Sequence, residues 1–127
     1  MAAVPPLVLP GAGACPCGTG SAYDVCCGPL HRGERQAGTP EELMRSRFAA
    51  YALGDTAYVW RTWHPRTRPE QVTHDPTTRW TRLEVLEASG EVVEFRAHHV
   101  SDGVAGVLHE RSLFARRAGR WFYLEAG

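Results

Sequence analysis

The stretch Cys15–Gly28, with the sequence CPCGTGSAYDVCCG, contains all four cysteines of the chain. A Cys-x-Cys pair is followed, after a short glycine-containing segment, by an adjacent Cys-Cys pair. Two close pairs on either side of a turn can bring four thiolates around one ion, and zinc prefers four such ligands in a tetrahedron at about 2.3 Å. We therefore predict that this stretch is a knuckle with one structural Zn²⁺. The predicted ligands are Cys15, Cys17, Cys26 and Cys27.

Other uses of these thiols fit the spacing less well. A disulfide between the adjacent Cys26 and Cys27 would be strained, because bridged Cα atoms normally lie further apart than neighbours do. Iron also binds thiolates, but four cysteines on so short a loop suit zinc better. His31 could replace one thiolate, although we expect a surface histidine there. Oxidation with release of zinc is a further role, but closed four-sulfur sites are mostly structural.

The composition indicates a globular chain without excess charge. Of the 127 residues, 43% are hydrophobic, and 14 basic residues, all of them arginine, are balanced by 14 acidic ones. A chain of this length forms one domain plus a small appendage. Zero net charge argues against general nucleic-acid binding and against binding to membrane surfaces, but it leaves a local basic patch open.

The N-terminal segment and the cysteines indicate a compartment. No apolar run approaches the roughly 20 residues of a membrane helix. Residues 1–14 are apolar but contain prolines and no basic side chain, so we expect a disordered or loosely docked tail rather than a signal peptide. A cytoplasmic location follows, because thiols stay reduced there and close cysteine pairs then indicate metal binding.

Helix signals begin after the knuckle. Segment 29–38 is polar and contains glycine, which predicts a linker or surface loop. Thr39 is a suitable N-cap, proline follows it, and Glu42 completes a capping box, so we predict a helix over 40–53. A second helix is expected over 56–63, with an apolar aromatic face that includes Trp60.

The rest of the chain predicts a meander of strands. A proline-rich loop over 65–78 comes first. Alternating apolar residues and glycine turns then predict four strands, at 80–87, 92–100, 105–116 and 121–125. In the first strand we place Trp80 and Leu86 on one face and Leu83 and Val85 on the other. In the second strand Val93, Phe95, Ala97 and His99 share one face, and the polar residues 94, 96 and 98 share the other. Helices followed by an antiparallel meander indicate an α+β fold over 39–127, in which the sheet curls over the helices.

The cysteine stretch resembles a known module. Its pattern CPCGTGxxYxxCCG is similar to the SEC-C motif, the zinc module best known from the C-terminus of the SecA preprotein translocase. In that protein the last ligand is usually histidine, whereas here it is Cys27. The resemblance implies zinc binding and does not transfer the activity of SecA, because the module occurs on many unrelated proteins.

Four further segments resemble the YchJ-like family of small bacterial proteins. They are ELMRSRFAAY at 42–51, TWHP at 62–65, HERSLF at 109–114 and GRWFY at 119–123. The family joins a SEC-C knuckle to a cone-shaped nuclear-transport-factor-2-like (cystatin-like) domain. The resemblance implies a pocket between the helices and the curled sheet, and it implies no established reaction.

Polar residues on segments that could face this pocket are the candidate site. They are Arg45, Arg47, Tyr51, Trp63, His64, His99 and Glu110. Arg47 lies on the inward side of its helix, and Glu110 shares a strand face with Ser112 and Phe114. We predict either a buried Arg47–Glu110 ion pair that joins helix to sheet, or an anchor for a carboxylate or phosphate ligand.

These patterns favour binding over catalysis. No Ser/His/Asp arrangement, paired carboxylates or glycine-rich phosphate loop is apparent. Our first hypothesis is a non-catalytic zinc protein, a monomer or homodimer, whose knuckle contacts a protein or ribonucleoprotein partner. The alternative is that the pocket binds a small molecule or is an active site, with His64, Arg47 and Glu110 as acid–base or anchoring groups. An open pocket favours the alternative, and one filled by aromatic side chains favours a scaffold.

Overall fold

The computed structural model describes residues 13–127, so the predicted tail lies outside the described residues except for Gly13 and Ala14. A 3₁₀ turn, Tyr23–Val25, precedes three helices and four strands. The helices are α1 Cys27–His31, α2 Pro40–Leu53 and α3 Thr56–Arg61. The strands are β1 Thr78–Ser89, β2 Val92–Ser101, β3 Val104–Arg117 and β4 Arg120–Ala126. This is the predicted α+β fold, with helices on a four-stranded antiparallel sheet.

Helix α2 has the predicted bounds because its ends are capped by its own sequence. The Thr39 side chain accepts a hydrogen bond from the Glu42 backbone at 3.1 Å, and the Glu42 carboxylate accepts one from the Gly38 backbone at 2.7 Å. These bonds satisfy amides that a helix start leaves free. At the other end Gly54 has φ 75°, the left-handed conformation that ends helices at glycine.

Helix α3 is shorter than predicted. It ends at Arg61, and Trp63 leaves the helix to form a bridge with Tyr123 of β4. The prediction that Trp60 belongs to a buried aromatic face is wrong, because its side chain is 38% exposed and its indole donates to the Pro69 carbonyl at 3.0 Å. Tyr58 and Val59 are the buried residues of this helix.

The four strands pair in the order β1-β2-β3-β4. The predicted inward face of β2 is confirmed, since Val93, Phe95 and Ala97 are buried against α2. Two bulges interrupt β1, where the register shifts between Trp80 and Arg82 and again between Val85 and Glu87. Such extra residues bend a strand and increase its twist, which helps the sheet to curl over the helices.

The bulges also change which side chains of β1 face the core. Thr81 is the extra residue, so Trp80 lies on the same face as Leu83 and packs against the core. The prediction that Trp80 and Leu86 share the opposite face is therefore wrong for Trp80, because simple alternation does not hold across a bulge. Leu86 is exposed.

The N-terminal knuckle lies against the helices. Ala14 and Ala22 form an antiparallel bridge, and α1 follows, so that the predicted linker over 29–38 begins inside a helix. Leu30 and His31 are buried there. The prediction of a surface histidine is wrong, because His31 lies between the knuckle and helices α2 and α3. None of the helices formed by residues 13–127 has the length and apolar character of a membrane span.

Candidate metal centre and cone pocket

The four cysteines form one compact cluster. Their sulfur atoms all lie within 4.8 Å of one another, and Cys17 Sγ is 3.5 Å from Cys26 Sγ. In a tetrahedral Zn–S₄ site with bonds of about 2.3 Å, neighbouring sulfurs are about 3.8 Å apart. The thiols are free rather than joined in disulfides, and three of them are buried. Their chemistry and spacing therefore fit a bound metal ion.

The thiols of the cluster differ in their pKa values. Hydrogen bonds, above all with Cys27, lower the pKa of Cys17 to about 4. Burial raises the pKa of Cys15 to about 11, and the hydrogen bond with Cys17 raises that of Cys27. The cluster thus favours one thiolate beside protonated neighbours. A divalent ion would have to displace these protons to gain four thiolate ligands, so metal binding should release protons.

The cysteine cluster is packed into the domain. Three of its sulfurs form a buried group with Ala49 of helix α2. Arg45, one turn earlier on α2, donates to the Cys17 carbonyl at 2.9 Å and to the Glu41 carboxylate at 3.0 Å. Arg45 was a candidate pocket residue, but its contacts place it at the knuckle.

His31 connects the knuckle to helices α2 and α3. Its Nε2 lies 2.8 Å from the Ser46 carbonyl, and its Nδ1 lies 2.6 Å from the Tyr23 hydroxyl. A carbonyl can only accept, so Nε2 carries the proton and Nδ1 accepts from Tyr23. The Ser46 hydroxyl contacts the Tyr58 hydroxyl at 2.7 Å. Both ring nitrogens are occupied, which removes His31 as a metal ligand.

The burial of His31 predicts a loss of stability in mild acid. Burial lowers the pKa of His31, whereas the unfolded chain binds this proton near pH 6.5. The unfolded state therefore binds more protons below that pH, and the free energy of unfolding should fall by up to about 1.4 kcal/mol per pH unit. Urea unfolding between pH 7 and 5, over the range in which bound metal is retained, measures this slope. We expect a flatter slope for His31→Gln and an unchanged one for the exposed His74→Gln; equal slopes for His31→Gln and the native chain would contradict the assignment.

A cavity of about 270 Å³, here called the cone pocket, lies between α2 and the sheet. Half of the residues that line it are aromatic, and they include Phe48, Trp80 and Phe95. Leu108 lines it and is 42% exposed, so this side opens to solvent. The polar lining consists of Arg47, Tyr51, Trp63, Glu110, Ser112 and Tyr123.

Arg47 is a buried cation in the wall of this pocket. Its side chain is only 3% exposed, and burial lowers its pKa. Nη1 donates to the Val59 carbonyl at 2.8 Å and to the Thr62 hydroxyl at 2.7 Å. The guanidinium also lies 5.3 Å from the centre of the Trp63 ring and 4.7 Å from that of Tyr123. The folded state thus holds this charge with neutral groups.

The predicted Arg47–Glu110 ion pair does not form. Arg47 makes no ion pair with any carboxylate among residues 13–127. Glu110 instead accepts hydrogen bonds from the Ser112 hydroxyl and, at 3.3 Å, from the Tyr123 hydroxyl. Both charged groups line the same cavity, and the Tyr123 ring contacts Arg47 while its hydroxyl contacts Glu110. Burial, followed by the Glu110 charge, raises the pKa of Tyr123 to about 12, so this phenol remains a donor.

Trp63 brings an unused donor to the pocket. Its exit from α3 is fixed by backbone bonds, since Tyr123 donates to the Thr62 carbonyl at 2.9 Å and His64 donates to the Tyr123 carbonyl at 2.7 Å. The Trp63 and Tyr123 rings then meet edge to face at 5.2 Å. The Trp63 indole N–H is buried and has no acceptor among residues 13–127.

The structure thus brings together four of the seven candidate residues. Arg47, Tyr51, Trp63 and Glu110 line the cavity, whereas Arg45, His64 and His99 do not. His64 packs against Phe122 with ring centres 6.0 Å apart, and burial, then nearby arginines, lower its pKa. His99 lies beside Trp80, with ring centres 5.1 Å apart.

Two polar pocket residues were not predicted. Ser112 shares the inward strand face of Glu110, a signal that the alternation already contained. Tyr123 could not be placed from periodicity, because a register shift between Leu113 and Phe114 changes its partner on β3.

The family model for the middle, NTF2-like domain of YchJ matches residues 39–126. The chain belongs to the YchJ-like family. Its relatives include the UPF0225 protein of Deinococcus radiodurans, which is 50% identical over 113 residues that cover 88% of this chain and 87% of that protein. The UPF0225 protein SCO1677 of Streptomyces coelicolor is 48% identical over 118 residues, covering 87% of this chain and 92% of the relative.

Solved structures of two proteins that contain the SEC-C motif share this fold. The SEC-C motif containing protein RPA3114 of Rhodopseudomonas palustris superposes with a TM-score of 0.81 at 40% identity, covering 91% of this chain and 98% of its own. A SEC-C motif containing protein from Psychrobacter arcticus gives a TM-score of 0.72 at 26% identity, covering 91% and 82%. The family and the fold predicted by resemblance are therefore confirmed, as is a cysteine cluster suited to metal.

Proposed function

We propose that this protein binds a small molecule in the cone pocket and that the knuckle holds one structural zinc ion that supports the pocket's helices. The ligand class is a small, mostly apolar molecule, such as an aromatic ring, with a carboxylate at one end and a hydrogen-bond donor at the other. The cavity volume of about 270 Å³ lies near the lower limit for ligand sites, which suits a ligand of this size.

The observation that supports this proposal is the unpaired cation in an aromatic pocket. Burying an arginine without a counter-ion costs free energy, and buried polar groups are normally paired. Arg47 has no carboxylate partner and Trp63 has an indole N–H without an acceptor, both statements holding for residues 13–127. An anionic acceptor in the cavity would satisfy these groups, while Glu110 would accept from a donor at the other end.

The test uses 4-hydroxybenzoate and its neutral amide as probes, measured by calorimetry. We expect the carboxylate to bind about tenfold more tightly than the amide, because a hydrogen bond to a charged group contributes about 1.5–3 kcal/mol. Trp63→Phe removes the indole donor and keeps a ring, so it should weaken 4-hydroxybenzoate binding by about tenfold.

Trp60→Phe is the matched control. It removes the same group from an exposed tryptophan outside the cavity, so binding should not change. Absence of binding by both probes at about 1 mM would contradict the proposal, as would equal losses in the two variants.

The same proposal includes zinc as the identity of the metal and the cytoplasm as the location of the protein. Zinc is the metal that four thiolates in a closed tetrahedral site suit best, and such a site leaves no open position for a substrate. Four ligands that must stay reduced favour a reducing compartment. The partner role predicted for the knuckle stays a prediction; its apolar contribution would be Val25, which is 74% exposed next to Cys26.

A further inference from the structure

A second cleft of about 270 Å³ lies away from the cone pocket, between the end of α3, the segment after it and the β3–β4 hairpin. Its charged lining is formed by Arg61, Arg68, Arg117 and Arg120. No aspartate or glutamate of residues 13–127 lines it. In a chain with zero net charge, this local separation of charge is not explained by composition.

These four arginines, here called the arginine cleft, have no carboxylate partners among residues 13–127. Arginines elsewhere on the surface do form such ion pairs; they are Arg32, Arg35, Arg45, Arg82 and Arg111. The positive charge of the cleft is therefore not neutralised within the described chain.

Backbone carbonyls and a ring hold two of the cations in place. Arg61 donates to the His31 carbonyl at 2.5 Å, and Arg68 donates to the Trp63 carbonyl at 3.0 Å. The Arg68 guanidinium lies 4.0 Å from the centre of the Trp60 ring. Neutral partners fix the positions of these groups and leave their charge available, which reduces the ordering cost of binding an anion.

The hairpin adds a repulsive pair. Arg117 and Arg120 are direct cross-strand partners on either side of a tight turn in which Ala118 has φ 52° and Gly119 has φ 77°. Like charges directly opposite each other destabilise an antiparallel pair. A bound anion between them would reverse that cost.

Aromatic side chains accompany the charges. Trp121 and Phe122 follow Arg120 on β4 and line the same cleft, and the Arg116 guanidinium lies 5.3 Å from the Trp121 ring centre. Arginine forks match phosphate oxygens, and aromatic faces accept stacked bases. We propose that the arginine cleft binds a nucleotide phosphate, with Trp121 and Phe122 beside the base or sugar. The cleft volume suits one nucleotide unit, which comes either from a free nucleotide or from a single strand.

The test measures anisotropy of a fluorescein-labelled uridylate RNA decamer with the full, metal-loaded protein at about 50 mM and about 200 mM salt. Uridine monophosphate and inorganic phosphate serve as unlabelled competitors. Arg117→Gln/Arg120→Gln should weaken decamer binding by about tenfold or more and reduce the salt slope by about 0.7, since the one single-strand phosphate held between the two arginines contributes about 0.7. Competition by uridine monophosphate at equal nucleotide concentration assigns the site to free nucleotides, and its failure assigns it to strands.

The matched control is Arg79→Gln/Arg96→Gln, which removes the same charge from two exposed arginines on β1 and β2 that lack carboxylate partners among residues 13–127. Its decamer binding and salt slope should equal those of the native chain. Equal losses in both double variants would show unspecific attraction and overturn the proposal. Failure of every probe to bind at about 10⁻⁴ M would also overturn it. The cone-pocket probes are read separately, so either proposal can fail alone.

Discussion

Cys17→Ser should remove the bound metal and destabilise the cone domain as well as the knuckle. We expect metal content to fall from about one ion per chain to near zero. The free energy of unfolding should fall by more than about 4 kcal/mol, because loss of a bound metal is one of the few effects of a single substitution that reach this size. The reason is packing: Cys17 is fully buried, and the cluster shares a buried group with Ala49 of α2.

Tryptophan fluorescence during urea unfolding measures the loss of stability in the cone domain. All four tryptophans lie at position 60 or later, so their emission reports on the cone domain rather than the knuckle. Ser21→Ala, an exposed change in the same loop, is the control and should leave both metal content and stability unchanged. A Cys17→Ser protein that loses its metal while the fluorescence transition stays in place would show that the knuckle is only an appendage.

The knuckle illustrates what sequence could and could not establish. The predicted ligand set follows from spacing, because metal geometry constrains four nearby cysteines strongly, and the structure brings these four sulfur atoms together. Its docking depends on His31, whose two hydrogen bonds reach Tyr23 and Ser46 across 8 and 15 positions of the chain. Nothing in the local pattern around His31 distinguishes a buried histidine from an exposed one, so the prediction of a surface residue was wrong.

In the sheet and the pocket, too, the sequence predicted some features correctly and others wrongly. Period-two alternation correctly predicted the inward face of β2, where no register shift occurs. It failed at Trp80, where one extra residue in β1 reverses the faces. The Arg47–Glu110 pair was predicted from two correct orientations, but orientation does not fix distance. Glu110 has hydroxyl donors at hand in Ser112 and Tyr123, and Arg47 reaches the end of α3 instead.

Arg47→Met should cost less than about 3 kcal/mol of stability, or even raise it, while it abolishes binding of 4-hydroxybenzoate. Arg47 has no ion-pair partner among residues 13–127, so its removal leaves no carboxylate without a counter-ion. The change removes the Arg47 donor from the Val59 carbonyl, because the one proton of the nearby Thr62 hydroxyl is donated to the Tyr58 carbonyl at 2.7 Å. Burial lowers the pKa of Arg47, which means that the folded state disfavours its charge. Methionine fills similar space without that cost, as expected for a residue retained for function at the expense of stability.

Arg45→Met is the matched control, two residues earlier on the same helix. Its side chain is 24% exposed, pairs with Glu41 and donates to the Cys17 carbonyl, so the change should cost about 1–2 kcal/mol and leave pocket binding intact. Urea unfolding and calorimetry on both variants separate the two quantities. A loss of about 3–5 kcal/mol in Arg47→Met would show instead that the buried cation holds α2 to α3 and β4. In that case Arg47 would be buried because it stabilises the fold. An anion in the pocket would then not be needed to explain its burial.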